Sequence, residues 1–147
     1  MIRKAEEKDI EIIAEYNCKM ARETEDINLE KEKVIKGVKR AVLDETKASY
    51  YLFEIEKNVV GQLMITKEWS DWRNGYFWWI QSVYVNKEYR RNGIFKKLYK
   101  YVEKLVNEDP DACGLRLYVE KNNKKAQNTY EKMGMEKTHY LIYELEN

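Results

Sequence analysis

Two helical patterns open the chain, after a short predicted strand, MIRKA. The first follows Asp9 and is predicted to run to about Arg22, with these residues at near-helical spacing: Ile10, Ile13, Ala14, Asn17 and Cys18. The second follows the polar break ETEDIN and has one apolar face: Val34, Ile35, Val38, Ala41 and Val42. We therefore expect two amphipathic helices ahead of most of the sheet.

Strand patterns dominate the middle of the chain. Three runs are rich in aromatic and β-branched residues, SYYLFEIE, VVGQLMITKEW and YFWWIQSVYV, and turn-forming residues separate them at 57–58 and in SDWRNG. The pattern then predicts a helix over about 93–107, a strand CGLRLYVE, a helix over about 124–133 and a final strand MEKTHYLIYELE. This order indicates an α+β fold with a mixed, mostly antiparallel sheet.

Length and charge narrow the class of protein. A chain of 147 residues, 44% hydrophobic and 36% charged, is expected to form one globular domain over 1–147. Because 27 basic residues nearly cancel 26 acidic ones, the net charge gives no reason to expect nucleic acid or an anionic membrane as partner. No apolar run approaches the ~18 residues of a membrane span. Any anion site should therefore be local.

Cysteine and histidine usage argues against metal and thiol chemistry. Cys18 and Cys113 lie far apart without a CxxC partner, and no signal-peptide pattern precedes them, so we expect reduced packing residues in a cytoplasmic protein. His139 is the single histidine, which argues against a multi-histidine metal site and against a Ser-His or Cys-His triad. No metal is expected.

The most informative stretch is the turn between the strand ending at Val85 and the next helix. Its candidate anion-binding residues are consecutive: Arg90, Arg91, Asn92, Gly93, Ile94 and Phe95. Amides in the first turn of a helix have no intrahelical acceptor and lie at the positive end of the helix dipole, so they can bind a pyrophosphate. The alternative is a basic surface turn. GIFKKLYK has no Gly-Lys-Ser/Thr, which disfavours a nucleotide-hydrolysing P-loop.

This turn resembles the acetyl-CoA-binding signature of the GNAT superfamily of N-acetyltransferases, Gln/Arg-x-x-Gly-x-Gly/Ala. Arg90 takes the first position and Gly93 the fourth, whereas Phe95 stands where the family has Gly or Ala. A second family motif, Asn-x-x-Ala-x-x-x-Tyr-x-x-x-Gly-Phe, is matched by five residues in register: Asn123, Ala126, Tyr130, Gly134 and Met135. Alone, Tyr130 would be a packing residue of its helix. The resemblance covers essentially the whole chain.

The resemblance implies a fold, a cosubstrate and residue roles. The fold would be a three-layer α+β arrangement with six or seven strands flanked by about four helices, and the cosubstrate acetyl-CoA without a metal. The backbone of Val83, Tyr84 and Val85 would pair with the pantetheine arm, and the amide of Val83 or Tyr84 would stabilise the oxyanion. Asn123 would belong to the cofactor site. Tyr130 would be the general acid for the leaving thiolate.

The expected acceptor is a primary amine of a small molecule or peptide that attacks the thioester directly. Gln81 stands where many relatives carry a glutamate base, so our hypothesis is that the proton passes through water to Glu23 or Asp71. The resemblance implies an acceptor site between MARETEDIN and EWSDWRNGYFWW. There Trp69, Asp71 and Trp72 would suit a cationic amine. Trp78 and Trp79 are instead expected to alternate across the sheet.

Two other functions fit the same residues. A non-catalytic acyl-CoA sensor would explain Gln81 and Phe95, since both depart from what the family usually carries. A cofactor-free interaction module would use the aromatic strand for association, and a homodimer would suit such a surface. Turnover with a panel of amines separates the enzyme from the sensor, and stabilisation by acyl-CoA separates both from the interaction module.

Overall fold

A mixed sheet of five strands occupies the centre of the structure, a computed structural model that describes residues 1–147. The strands are β1 (Ile2–Lys4), β2 (Ser49–Ile55), β3 (Asn58–Ser70), β4 (Gly75–Val85) and β5 (Ala112–Leu117). They lie in the order β1-β2-β3-β4-β5. The first four are antiparallel neighbours, and β5 pairs parallel to β4. The predicted α+β class with a mixed, mostly antiparallel sheet is confirmed.

Four α-helices accompany these strands: α1 (Ile10–Glu25), α2 (Lys31–Leu43), α3 (Ile94–Glu108) and α4 (Lys124–Lys132). Short 3-10 turns lie at Glu7–Asp9 and Lys87–Tyr89. The first helix runs three residues beyond the predicted end at Arg22 and stops where Asp26 takes a left-handed φ of 52°. No helix combines the length and apolar character that crossing a membrane requires.

Helices cover both faces of the sheet because successive strand residues point to opposite sides. On one face α1 and α2 form a core cluster with β2, made of Ile13, Ala14, Val38, Ala41, Ala48, Tyr50 and Leu52. On the other face α3 packs closely, and a Cβ placed on Gly61 would lie 2.8 Å from Cγ2 of Ile94. The rings of Tyr51 and Tyr101 also meet there, 5.7 Å apart. This is the predicted three-layer arrangement.

A buried ion pair fixes the first strand. Arg3 donates to both carboxylate oxygens of Asp9, at 2.8 and 2.9 Å, and its Nε donates to Glu54 at 2.9 Å. Burial alone would raise the pKa of Asp9, but the hydrogen bonds from Arg3 and from the Glu6 amide hold it below its ordinary value. The charged form of Asp9 is therefore the stabilising one.

The chain divides into two compact units, Met1–Leu117 and Tyr118–Asn147. The second contains α4 and, after it, residues 135–147 without a strand. The predicted final strand, MEKTHYLIYELE, is therefore wrong, and the sheet has five strands instead of six or seven. The alternating residues of this C-terminal segment have strand propensity, but no strand forms a backbone ladder with them. Leu141, Tyr143 and Leu145 are 83%, 92% and 97% exposed. The expectation of one domain over 1–147 stays a prediction.

Candidate functional site

The far end of β4 is paired on one edge only. Its parallel ladder with β5 ends at Ile80 and Leu117, while its antiparallel ladder with β3 continues to Gly61 and Val85. The predicted pantetheine-binding residues, Val83, Tyr84 and Val85, lie in this half-paired segment. An unpaired strand edge presents backbone donors and acceptors that an extended ligand can bind.

The turn after β4 brings the first amides of α3 beside this edge. Arg91 and Gly93 both adopt left-handed conformations, with φ of 67° and 71°. Asn92 braces the turn, since its Nδ2 donates to the carbonyls of Tyr89 and Arg90 at 3.0 and 3.3 Å. A Cβ on Gly93 would meet nothing within 4 Å, so its φ favours glycine here and the space beside it is open.

The N-terminus of α3 has the features of an anion site. The first hydrogen bond of the helix runs from the Lys97 N–H to the Gly93 carbonyl and is 3.0 Å long. The amides of Ile94, Phe95 and Lys96 come before Lys97 in the chain and form the first turn. The N-cap residue Gly93 supplies no side-chain cap, and the first turn contains no acidic residue. First-turn amides at the positive end of a helix dipole, beside an open glycine, fit a pyrophosphate.

Arg90 is engaged within the chain. Its Nε donates to the carbonyl of Val85 at 2.9 Å, and its Nη2 lies 3.0 and 3.2 Å from the two carboxylate oxygens of Glu23. The guanidinium also lies 5.2 Å from the ring centre of Tyr84. Arg90 therefore joins the end of β4 to the end of α1, and part of its charge is balanced by Glu23.

Glu23 and Tyr84 shift each other's titration. The Tyr84 hydroxyl bond, followed by the Arg90 guanidinium, lowers the pKa of the Glu23 carboxyl. Burial, followed by the bond to Glu23, raises the pKa of Tyr84 to about 12. A carboxylate with a lowered pKa is a weak proton acceptor near neutral pH. The contacts of Glu23 with Arg90 and Tyr84 thus give it an ion-pairing role. That Glu23 accepts the proton of the amine stays a prediction.

Two predicted site residues lie in the second unit, on or next to α4. Asn123 is the N-cap of this helix, and its Oδ1 accepts a hydrogen bond from the Ala126 amide at 3.1 Å. Tyr130 lies within the helix, and burial raises the pKa of its hydroxyl. A raised pKa keeps the phenol protonated at neutral pH, as a proton donor requires.

Comparison with known proteins identifies the family. The family model described as Acetyltransferase (GNAT) family matches residues 10–135. The chain belongs to the GNAT acetyltransferase family. This GNAT chain is therefore an acyltransferase, and its resemblance to the family is confirmed. Comparison with curated protein sequences gave no match.

Solved structures support the same assignment. A possible acetyltransferase from Clostridium difficile 630 is 48% identical, with a TM-score of 0.95 over 100% of this chain and 97% of that chain. A probable acetyltransferase is 21% identical, with a TM-score of 0.86 over 100% and 97%. A predicted acetyltransferase with acetyl-CoA from Clostridium acetobutylicum is 16% identical, with a TM-score of 0.78 over 99% and 95%. The two distant likenesses show the fold.

The predicted acceptor residues of this GNAT chain lie around the β3–β4 hairpin. Asp71 and Trp72 occupy the turn, and Trp72 is 87% exposed. Trp69 belongs to the end of β3, and its ring meets that of Tyr76 edge-on at 4.9 Å. Gln81 Nε2 donates to Thr66 Oγ1 at 2.7 Å across the hairpin. The structure thus brings three aromatic residues and a carboxylate to one hairpin end, with Gln81 further along β4.

The adjacent tryptophans of β4 alternate as predicted. Trp78 is 6% exposed, and the ammonium of Lys67 lies 4.5 Å from its ring. Trp79 is half-buried, and its Nε1 donates to Glu68 at 3.0 Å. Arg116 of β5 also donates to Glu68, at 3.1 Å. Sequence reasoning missed this Glu68 cluster because the three residues come from three strands and no local spacing links them.

No group of three or more His, Cys, Asp or Glu side chains is placed to hold a metal ion. Cys18 and Cys113 are both free and half-buried.

Proposed function

We propose that the protein transfers an acetyl group from acetyl-CoA to the primary amine of a small molecule or peptide, by direct attack of the amine. The observation that carries this proposal is the juxtaposition of two backbone surfaces that can bind a ligand. One is the end of β4 that no longer pairs with β5, and the other is the uncapped N-terminus of α3. A strand edge and a helix terminus suit the amide-rich arm and the pyrophosphate of coenzyme A.

Binding of the pyrophosphate would fall to backbone amides. The amides of Ile94, Phe95 and Lys96 come before the Lys97 N–H, which makes the first hydrogen bond to Gly93. A backbone amide is a donor whatever side chain its residue carries. Phe95 in place of the usual Gly or Ala therefore keeps the donor. Arg91 is exposed and would add positive charge at the rim.

The thioester carbonyl would be polarised by an amide of β4, that of Val83 or Tyr84. An amide held by the sheet needs no reorganisation as negative charge develops on the oxygen, and such a donor is typically worth ~10²–10³ in rate. Acetyl-CoA supplies the activated acyl group. The acceptor amine must arrive deprotonated, because an alkylammonium with a pKa near ~10 has no lone pair to attack with.

Proton transfer would involve different residues at the two ends of the reaction. Tyr130, whose raised pKa keeps it protonated, would donate to the leaving thiolate. Gln81 has no basic group, and Glu23 is held as an ion pair with Arg90. Asp71 is exposed at the hairpin and would receive the amine's proton through water, beside the aromatic residues proposed to hold the acceptor.

A thiol-release assay with acetyl-CoA and a broad library of amines tests the proposal. Turnover with at least one class of primary amine is expected, at a rate that depends on both substrates. Binding of acetyl-CoA without turnover of any amine would instead indicate a sensor. Absence of both binding and turnover would reject the proposed function and favour an interaction module.

The Tyr130→Phe variant tests the proposed acid. We expect the turnover number to fall by about 100-fold or more, while the dissociation constant for acetyl-CoA changes little, because general acid catalysis contributes ~10²–10⁴. Tyr143→Phe is the matched control, since it removes the same hydroxyl from a side chain that is 92% exposed. Equal turnover numbers for the two variants would refute the assignment of Tyr130.

A further inference from the structure

The half-paired end of β4 contains a bulge with an unusual backbone conformation. Gln62 of β3 pairs with Tyr84 and Met64 pairs with Gln81, so Ser82 and Val83 together oppose the single residue Leu63. Ser82 has a φ of 51°, in the left-handed region. A non-glycine residue there carries a conformational cost, and a bulge rotates the local peptide groups out of the ladder. The neighbouring structure must hold this conformation.

Gln62 makes the contact that holds it. Its side chain is fully buried, with 0% exposure, in the middle of an otherwise apolar strand. Its Nε2 donates to the Ser82 carbonyl at 3.2 Å and to Asn17 Oδ1 at 2.9 Å. Both partners are acceptors, so only the amide nitrogen of Gln62 can face them. Asn17 lies on α1 and is 9% exposed, and burial raises the pKa of Tyr50 while the Asn17 side chain opposes that rise.

The choice of glutamine here is costly. Gln62 Oε1 is buried without a hydrogen-bond partner, and a buried unpaired acceptor destabilises the fold. An apolar side chain of similar size would fill the space without that cost. Local costs of this kind are concentrated at functional sites. The hydrogen bond from Gln62 Nε2 to the Ser82 carbonyl is the interaction that offsets the cost of the unpaired Oε1.

We propose that Gln62 is a positioning residue that aims the Val83 amide at the thioester carbonyl. The carbonyl of Ser82 and the N–H of Val83 belong to one trans peptide and point in opposite directions. Since Gln62 draws the carbonyl toward α1, the N–H is directed away from α1. Gly61, the neighbour of Gln62 in β3, faces α3, so the face opposite α1 is the one on which α3 packs.

This inference rests on the proposed function and makes it more specific. It selects Val83 over Tyr84 as the oxyanion donor, and it gives a polar residue of β3 a part in the reaction without contact with the substrate. Loss of the Gln62 bond should change acetyl-CoA binding little, because it turns one peptide of β4 while the rest of that strand edge and the proposed pyrophosphate amides on α3 keep their positions. It should slow the chemical step.

The test compares Gln62→Met with Tyr50→Phe. Methionine has about the same volume as glutamine and cannot make the hydrogen bond to Ser82. Tyr50→Phe removes the hydroxyl beside Asn17 and leaves the bond between Gln62 and Ser82 in place. We expect Gln62→Met to lower kcat by about tenfold or more, in line with partial loss of an oxyanion donor, with the Kd of acetyl-CoA within about threefold. Tyr50→Phe should keep kcat within about twofold of wild type by the same reasoning.

A rescue experiment separates positioning from general damage. Glycine adopts the left-handed conformation without a steric cost, so Ser82→Gly in the Gln62→Met background should restore a large part of kcat. If Gln62→Met keeps the wild-type kcat, the proposal is overturned. It is also overturned if Gln62→Met and Tyr50→Phe lose kcat equally, or if Ser82→Gly restores nothing.

A readout independent of activity keeps this claim separate from the proposed function. Absence of wild-type turnover rejects the proposed function alone. The orientation of the Val83 N–H, measured by residual dipolar couplings, then decides the inference. We expect the coupling to change in Gln62→Met and to stay in Tyr50→Phe. An unchanged coupling in Gln62→Met would overturn the positioning role.

Discussion

Replacing Gly61 with alanine tests the packing that sets the position of the α3 N-terminus. The new Cβ would lie 2.8 Å from Cγ2 of Ile94, whereas carbon atoms in contact are ~3.5–4.0 Å apart. The two elements would have to separate by about 0.7–1.2 Å. Overpacking of this size typically costs ~1–3 kcal/mol. For a chain of this length each kcal/mol is ~2–4 °C in Tm, so we expect a fall of about 2–12 °C.

Cofactor binding should weaken with the same change. The amides proposed to bind the pyrophosphate begin at Ile94, so a displaced helix start misaligns them. Loss of about one hydrogen bond, ~1 kcal/mol, corresponds to a roughly fivefold increase in the Kd of acetyl-CoA. Calorimetric titration of the two proteins with acetyl-CoA measures this change.

A double-mutant cycle identifies the clash as the cause. In an Ile94→Ala background the nearest atoms to the new Cβ are side-chain carbons of Leu98 and Phe53 at 3.6 Å, an ordinary contact. Urea unfolding should therefore give Gly61→Ala a cost below about 0.5 kcal/mol in that background. Gly37→Ala is the control, because nothing lies within 4 Å of its Cβ position in α2 and alanine should stabilise the helix by up to ~1 kcal/mol. An equal cost of Gly61→Ala in both backgrounds would show that the contact with Ile94 is not the cause.

Three further changes have defined outcomes. Gly93→Ala places a Cβ at a φ of 71° in open space, so it should destabilise the turn by ~1–2 kcal/mol in urea unfolding, and Gly93→Asn should cost less because asparagine tolerates this conformation better. Asp9→Asn should lower the free energy of unfolding at neutral pH by ~2–3 kcal/mol, because Arg3 loses its charged partner. Since the folded pKa of Asp9 is lowered, its contribution is fully present above the unfolded value near 3.8 and is lost as the pH falls through the folded value. The wild type should thus lose more stability than the variant in acid, and parallel pH profiles would contradict this. Glu23→Gln should tighten acetyl-CoA binding by about two- to fivefold at low salt and less at high salt, because the charge of Arg90 is then unbalanced, and calorimetry at the two salt concentrations measures the difference.

Local patterns predicted the elements that carry the candidate site. The helix after Gly93 and the helix after Asn123 begin where the sequence placed them, because a left-handed glycine and an asparagine cap are determined by neighbouring residues. The third and fourth strands and their turn also follow from local propensity. The half-paired edge of β4 could not be predicted from these signals, since it depends on where β5 stops.

Local sequence patterns could not predict contacts between residues that are far apart in the chain. Arg90 was predicted as a cofactor ligand, but its partner Glu23 lies 67 positions away and is brought to it by the packing of α1. The final strand failed for the same reason, because strand propensity does not supply a pairing partner. Gln62 did carry a signal: a polar residue in the middle of the apolar run VVGQLMI is expected to be buried and bonded.

Titration of ¹⁵N-labelled protein with acetyl-CoA, followed by amide chemical shifts, tests whether the end of β4 and the N-terminus of α3 bind the cosubstrate. Saturable shifts are expected to be largest at the amides of Val83, Ile94 and Phe95, with those of α2 unchanged. Saturable binding that leaves these three amides unaffected, or no binding at all, would show that acetyl-CoA does not bind at this site.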